Sequence, residues 1–484
     1  MKRSIILLLA ILAATTSCGS DVTDSSSSDT VKKDSNDTAH EVDYLESLVT
    51  DVYNGRTLRI FDANDHPEMH VNVALEEQNG DIVNDALYAR DLLMEETFGI
   101  EVEYTLSPGT TQAAAACRQL DNSVLAGDNE WEYVISCLYG NALAASASAG
   151  TLYNLIDIPA LKLDQIWWSS HLYDTLNFDN TMYFTTGDIS PSVYQGCNVM
   201  FANTRLLNEY QVEDDLLGIA LDGAWTLDKL FSLSKDLNRD VNYDGKLSFQ
   251  DDFLGINYHN NIASLLGGTD VRTVILNETK DDFILNFNDP HNVDIVDKLR
   301  QNNFKVENTD SNANEAPKRM FLEGRSLFYT HSVEVALSHF RDMEDDYIIL
   351  PMPKADEQQE SYISTYSAWI SSFVAVPMTA DAEFAGVMME AMAYLGYRDI
   401  RPKAYELVYK EKALRDERSG EVLDICFDNV YLDFNAVFDF GGSNWYPSGA
   451  ACGETELISG LAGARGATEN AIEKFIENWA RYDY

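Results

Sequence analysis

Between Thr57 and Leu106 the chain carries the pattern that most restricts its fold. Thr57–Phe61 is a short apolar run that predicts a strand. Val83–Phe98 has apolar residues at 83, 86, 87, 93, 94 and 98, the period of a helix with one buried face, and Gly99 is its stop. Ile100, Val102, Tyr104 and Leu106 then alternate as a strand does. A strand, a helix and a strand in this order predict the βαβ unit of an α/β sheet. With 484 residues, the chain exceeds what one core usually holds, so two or more lobes are expected.

Further strands are predicted at Glu132–Cys137, Met182–Thr185, Val199–Ala202, Tyr347–Leu350 and Ala368–Val376. Helices are predicted at Arg205–Tyr210, Asp381–Gly396, Ala404–Ala413 and Glu454–Ala480. Thr226 can cap a helix that starts at Leu227, with Trp225 and Leu230 at staple positions. The small residues of Asn141–Gly150 suit a helix start packed against a ligand or the sheet. Trp167 and Trp168 are expected to pack at a lobe junction.

Met1–Arg3 followed by the apolar Ser4–Ala14 predicts a secretory signal. The run ends at Cys18 and resembles a bacterial lipoprotein signal, in which the cysteine becomes the lipidated N-terminus. Thr15 departs from that pattern. Residues 19–43, rich in Ser, Asp, Thr and Lys, are expected to be a disordered tether. The formal charge of −45 argues against nucleic acid and anionic lipid and favours cations or neutral ligands. Beyond Cys18 the cysteines are odd in number and widely spaced, which predicts buried free thiols with room for one bridge at most. There is no Walker pattern, no Gly-x-Gly-x-x-Gly and no Gly-x-Ser-x-Gly. His66 and His70 are separated by Pro67 and lack the glutamate of a zinc helix.

Asp240-Val-Asn242-Tyr-Asp244-Gly245-Lys246-Leu247-Ser248-Phe-Gln-Asp251 has the spacing of a calcium loop. Asp240, Asn242 and Asp244 supply oxygens at alternate positions, and Gly245 allows the turn. Lys246 would offer its carbonyl and Ser248 a water contact. Leu247 anchors the loop to the core. Asp251 closes it, with Asp252 a competing closer. A structural Ca2+ clip is the expectation.

Several stretches together resemble the solute-binding lipoproteins of bacterial ABC importers, a family with many sugar-binding members. They are Gly80–Arg90 leading to Ile100, Asp164–Trp168, Val199–Tyr210, Gly223–Leu230 with the loop Asp240–Asp251, Leu254–Ile256, Phe321–Phe328, Leu350–Lys354, and Lys412–Ile425. The resemblance implies an α/β, two-lobed, periplasmic-binding-protein-like (type II) fold with a hinge and a cleft between the lobes. It places residues 44–163 and about 379–424 in lobe 1, and about 164–378 and 425–484 in lobe 2. It implies a non-enzymatic receptor that closes on a solute and hands it to permease subunits. The receptor would be a monomer, held at the outer face of the cell membrane by its lipid alone.

Sugars need aromatic planes for their C–H faces and amides or charges for their hydroxyls. Loops expected to meet at the cleft supply such mixtures, with Asp62, Asn64, Tyr139, Asn141, Tyr258, Asn260, His331, Trp369, Asn444 and Trp445 as candidate ligand residues. A carbohydrate or oligosaccharide is the expected ligand. The alternatives are a secreted, calcium-stabilised carbohydrate-active enzyme or surface glycan-binding protein, and a peptide or metal-chelate receptor on the same fold.

Overall fold

The computed structural model describes residues 44–64, 72–73, 77–108, 111–257, 262–302, 306–307, 315–340, 343–410 and 418–479. The signal and tether residues, Cys18, His66, His70, Tyr258 and Asn260 lie outside the described residues. Of the segment before Leu48, a distinct unit by its contacts, the described residues are Tyr44–Ser47, where Ser47 Oγ donates to the Tyr44 carbonyl at 2.6 Å.

The predicted βαβ unit is present. Strand β1 (Thr57–Asp62) leads to helix α1 (Ile82–Phe98), which returns to β2 (Glu101–Leu106), parallel to β1. The Asp81 carboxylate caps α1 by accepting from the backbone N–H groups of Val83 (3.1 Å) and Asn84 (2.8 Å). Gly99 stops the helix in the left-handed region, at φ 66°, where a side chain would be strained. Helix α2 (Ala113–Ala126), strand β3 (Tyr133–Cys137) and helix α3 (Ala142–Ala149) follow, and β3 joins the other edge of β1 in parallel.

A second sheet is built on β4 (Asn198–Asn203). Helix α4 (Leu227–Ser234) is capped by Thr226, whose hydroxyl accepts from Lys229 N, and Trp225 and Leu230 are fully buried beneath it. Strands β5 (Leu254–Asn257), β6 (Ser326–Ser332) and β7 (Tyr347–Leu350) complete the order β7-β4-β6-β5. β4 is antiparallel to both neighbours and β5 is parallel to β6.

The chain then crosses back. Strand β8 (Ser372–Ala375) pairs antiparallel with β3, so the first sheet reads β8-β3-β1-β2. The boundary near 379 expected from the sequence therefore falls too late. Phe373 and Val374 are completely buried and complete the first sheet. Helices α5 (Ala382–Leu395) and α6 (Arg401–Lys410) pack on α1, whereas α7 (Arg418–Asp428) packs on β7 of the second sheet. The return to the second sheet thus lies before Arg418 rather than at 424. Val422, Leu423 and Cys426 are the buried face that draws α7 there. Helix α8 (Leu457–Trp479) packs against Phe440–Trp445 and also touches α3, so the last stretch is not confined to lobe 2. Its Phe475 and Trp479 sit in an aromatic cluster with Phe178, Phe434 and Phe438.

Met182–Thr185, predicted as a strand, is a crossing segment whose one ladder contact to the first sheet is Thr185 with Val374. Trp168 bridges Gly187 nearby, and both tryptophans are buried as expected. Gly396 lies so close to this crossing that a Cβ there would come within 1.8 Å of the Asp188 carbonyl oxygen. Gly396→Ala should therefore destabilise the fold by roughly 1–3 kcal/mol in urea unfolding, and an unchanged midpoint would contradict this packing.

Candidate ligand-binding site

The C-terminal ends of β1 and β3 meet the start of β8. Tyr139, 53% exposed, follows β3, and Asn141 turns the chain into α3 with φ 59°. Leu138 N donates to the Ala368 carbonyl (3.0 Å), which brings the half-buried Trp369 beside that turn. Asp62 and Asn64 end β1 but are sealed from solvent, each 0% exposed. They belong to a buried polar chain. Asn64 Nδ2 donates to Asp62 Oδ1 (2.7 Å), Ser372 Oγ to Asn64 Oδ1 (3.3 Å), Asn72 Nδ2 to Ser372 Oγ (2.9 Å), and Ser190 Oγ to Asn72 Oδ1 (2.5 Å).

The second sheet reaches the same place from the other side. His331 lies next to the end of β6, opposite Val199, and Val333 N donates to the Cys197 carbonyl at 2.9 Å. Cys197 bridges Tyr366, and Asn198 Nδ2 donates to Thr365 Oγ1 at 2.9 Å. Thr365–Ser372 thus runs from the end of one sheet to the end of the other. Tyr139, Asn141 and Trp369 meet at its first-sheet end above the buried Asp62 and Asn64, while His331 stands at its second-sheet end with its ring towards Tyr329 and Glu334. Burial pushes the His331 imidazole below its ordinary pKa, opposed by Glu334, whose carboxylate is 3.9 Å from Nδ1.

Asn444 and Trp445 sit elsewhere. A cavity of about 990 Å³ runs along β5, between α4, Ile262 and Ala263, Arg300 and the short helix Tyr446–Ala451. Trp445 lines it and is 64% exposed, and Asn444 beside it is half-buried. The loop before them is clamped. A Cβ on Gly441 (φ 62°) would come within 2.5 Å of the α8 backbone at Ala467 and Thr468. Burial raises the pKa of the nearby Asp439 carboxyl, an effect that the Trp445 indole opposes. An exposed tryptophan held in place beside a cavity of this size is the arrangement expected of a ligand platform. Sequence reasoning missed Asn257, a buried amide in the cavity wall. The available signal was a polar residue closing an apolar strand.

The calcium-like loop folds on itself. Gly245 N donates to Asp240 Oδ2 (2.8 Å) and Lys246 N to Asp244 Oδ1 (2.9 Å). Asn242 Nδ2 lies between Asp244 Oδ2 (3.3 Å) and Asp251 Oδ2 (2.7 Å), and Ser248 Oγ donates to Asp251. These bonds hold the Asp251 carboxyl below its ordinary pKa, Ser248 foremost. The oxygens are chemically suited to a hard cation, and the amide hydrogens of Asn242 stand where such a cation would compete. Among the described residues no group of three or more His, Cys, Asp or Glu stands in a metal-holding arrangement. Asp252 is not a closer. It is buried and accepts from Val241 N and Ser248 N, both at 2.7 Å, bracing the two ends of the loop. Leu247 packs on Phe249, Leu254, Ala316 and Met320, as its anchoring role requires.

No protein-family model and no curated protein sequence matches the chain. Solved structures do. The GacH receptor of Streptomyces glaucescens GLA.O, solved unliganded and with acarbose, matches at 13% identity and TM-score 0.53, over 87% of this chain and 99% of that one. The cyclic alpha-maltosyl-1,6-maltose binding protein of Arthrobacter globiformis matches at 10% identity and TM-score 0.58, over 87% of this chain and 100% of that one. At such identities the likeness is one of fold, and the chain has the two-lobed α/β architecture of these binding proteins.

Asp62 offers a direct test of the junction. Burial pushes its pKa up to about 7, against the pull of the Asn64 and Asn72 amides. The fold thus prefers the neutral acid. That contribution is full below about pH 4 and is lost as pH rises to about 7. Asp188, raised to about 8 by burial, acts in the same direction and is present in wild type and in an Asp62 variant alike. Relative to wild type, Asp62→Asn should gain stability between about pH 4 and 7 and level off above. A difference that does not change with pH would rule out a buried, proton-binding Asp62.

Proposed function

We propose that the chain is an extracytoplasmic solute receptor of an ABC importer that captures a carbohydrate, most simply an oligosaccharide, between its two lobes and passes it to a membrane permease. The observation that carries this is Trp445, exposed yet held beside a cavity of about 990 Å³ whose wall carries Asn238, Asn257, Arg300 and Asn302. The shared fold supports it, since the matched proteins are named as receptors or binding proteins for acarbose and a cyclic maltosyl-maltose. The junction around Tyr139, Asn141, His331 and Trp369 supplies the second face on closure. The protein acts as a receptor and not as a hydrolase.

Incubation with a panel of linear and cyclic oligosaccharides should raise the melting temperature reversibly and release no product. Cleavage of a bound glycan would favour the carbohydrate-active-enzyme alternative. Trp445→Ala should weaken binding by about tenfold or more, in line with the 1–3 kcal/mol of an aromatic contact, while the apo melting temperature stays nearly constant. Unchanged affinity would remove Trp445 from the site.

The same reading attaches the mature chain through a lipidated Cys18 and the tether 19–43, as a monomer at the outer membrane face. It assigns a structural Ca2+ to Asp240, Asn242, Asp244, Ser248, Asp251 and the Lys246 carbonyl. The ion would replace the internal hydrogen bonds of the loop with stronger charge contacts. Chelator should then lower the melting temperature of the wild type, and Asp244→Ala should abolish that sensitivity. A chelator-insensitive wild type would reject the ion.

A further inference from the structure

Asn257 ends β5 with its amide 1% exposed. Its orientation is not free. Nδ2 donates to the Pro317 carbonyl at 2.7 Å, so the amide cannot flip. That leaves Oδ1, a buried acceptor with no hydrogen-bond partner among the described residues. Asn257 is also in the wall of the cavity beside Trp445. A buried acceptor without a donor is costly, and a fold keeps one where something else completes it. Pro317 lies in the helix Glu315–Leu322, whose carbonyls find partners along the helix, so the Asn257 bond is not needed to satisfy it.

We propose that Asn257 is a specificity-determining ligand residue, whose Oδ1 accepts a hydrogen bond from a hydroxyl of the ligand in the β5 cavity. The cavity then selects a ligand that presents an O–H donor at that depth, with a flat C–H face for Trp445. The proposal rests on the cavity being the ligand site.

The test uses the mature chain, Asn257→Leu and Asn257→Asp, titrated with maltotriose, cellotriose and xylotriose and melted without sugar. Leucine removes the acceptor at similar volume, and aspartate keeps an acceptor oxygen. For any trisaccharide bound by wild type, Asn257→Leu should weaken binding about tenfold or more, as expected for one hydrogen bond to a buried group. Asn257→Asp, assayed near about pH 5 where burial favours its neutral acid, should stay within about threefold, because the acid O–H can donate to Pro317 while the other oxygen remains an acceptor. Without sugar, Asn257→Leu should melt within about 2 °C of wild type, since no satisfied acceptor is lost. Leucine binding as tightly as wild type, or a large fall in the apo melting temperature, would overturn the assignment and leave the receptor reading standing. If wild type binds none of the three sugars, the receptor reading and the assignment fall together.

Discussion

One buried carboxylate ties the crossing to the first sheet. Glu390, completely buried on α5, accepts from Trp167 Nε1 (3.0 Å), Trp168 Nε1 (2.8 Å) and Lys162 N (3.1 Å). Such a charge is tolerable only when its lone pairs are filled, and bonds to an ionised acceptor are stronger than neutral ones. The result is a fixed point just before the chain leaves the first sheet. Trp168 bridges Gly187, and Gly396 accepts the Asp188 carbonyl against its bare Cα. The segments that join the two sheets thus leave from a rigid corner. The closure proposed above would be taken up in the segments beyond it.

Beyond that corner, each sheet ends a strand in an incompletely bonded polar group. Asp62 does so on β1 and Asn257 on β5. An unsatisfied buried acceptor costs roughly 1–3 kcal/mol, so Asn257 Oδ1 weakens the unliganded protein measurably. A hydroxyl donor in the β5 cavity would complete the Asn257 oxygen. A polyol brings many such donors on one rigid ring, whereas a purely apolar ligand would leave that oxygen bare.

Much of the scaffold was legible in the sequence because its signals are local. The 3.6-residue period of α1, the Asp81 and Thr226 caps and the alternation in β2 each act over a few residues. The site was legible only in part. Tyr139 and Trp369 came together because they flank strands that pair. Asp62 and Asn64 read as exposed loop polars, yet the return of Ser372 from 300 residues away buries them. Trp445 was recognisable as a tryptophan in an irregular glycine-rich loop, but its distance from the junction depends on how α8 packs. Glu390 is the clearest missed signal. A lone acid within Met388-Met389-Glu390-Ala391-Met392 sits where only a buried partner explains it, and that partner lies more than 200 residues away. The boundary near 379 failed for the same reason. Strand β8 belongs to a sheet whose other strands come from the beginning of the chain.

The central claim is that the two sheets close on a bound polyol. It is tested most directly by spin-label distance measurements between Leu125→Cys on α2 and Asn208→Cys beside β4, both at exposed positions. Cys18 and the exposed Cys452 would be replaced by serine. Measured with and without a saturating trisaccharide that raises the melting temperature, the distance distribution should move to shorter values when the sugar is bound. Identical distributions in the two states would contradict capture by lobe closure.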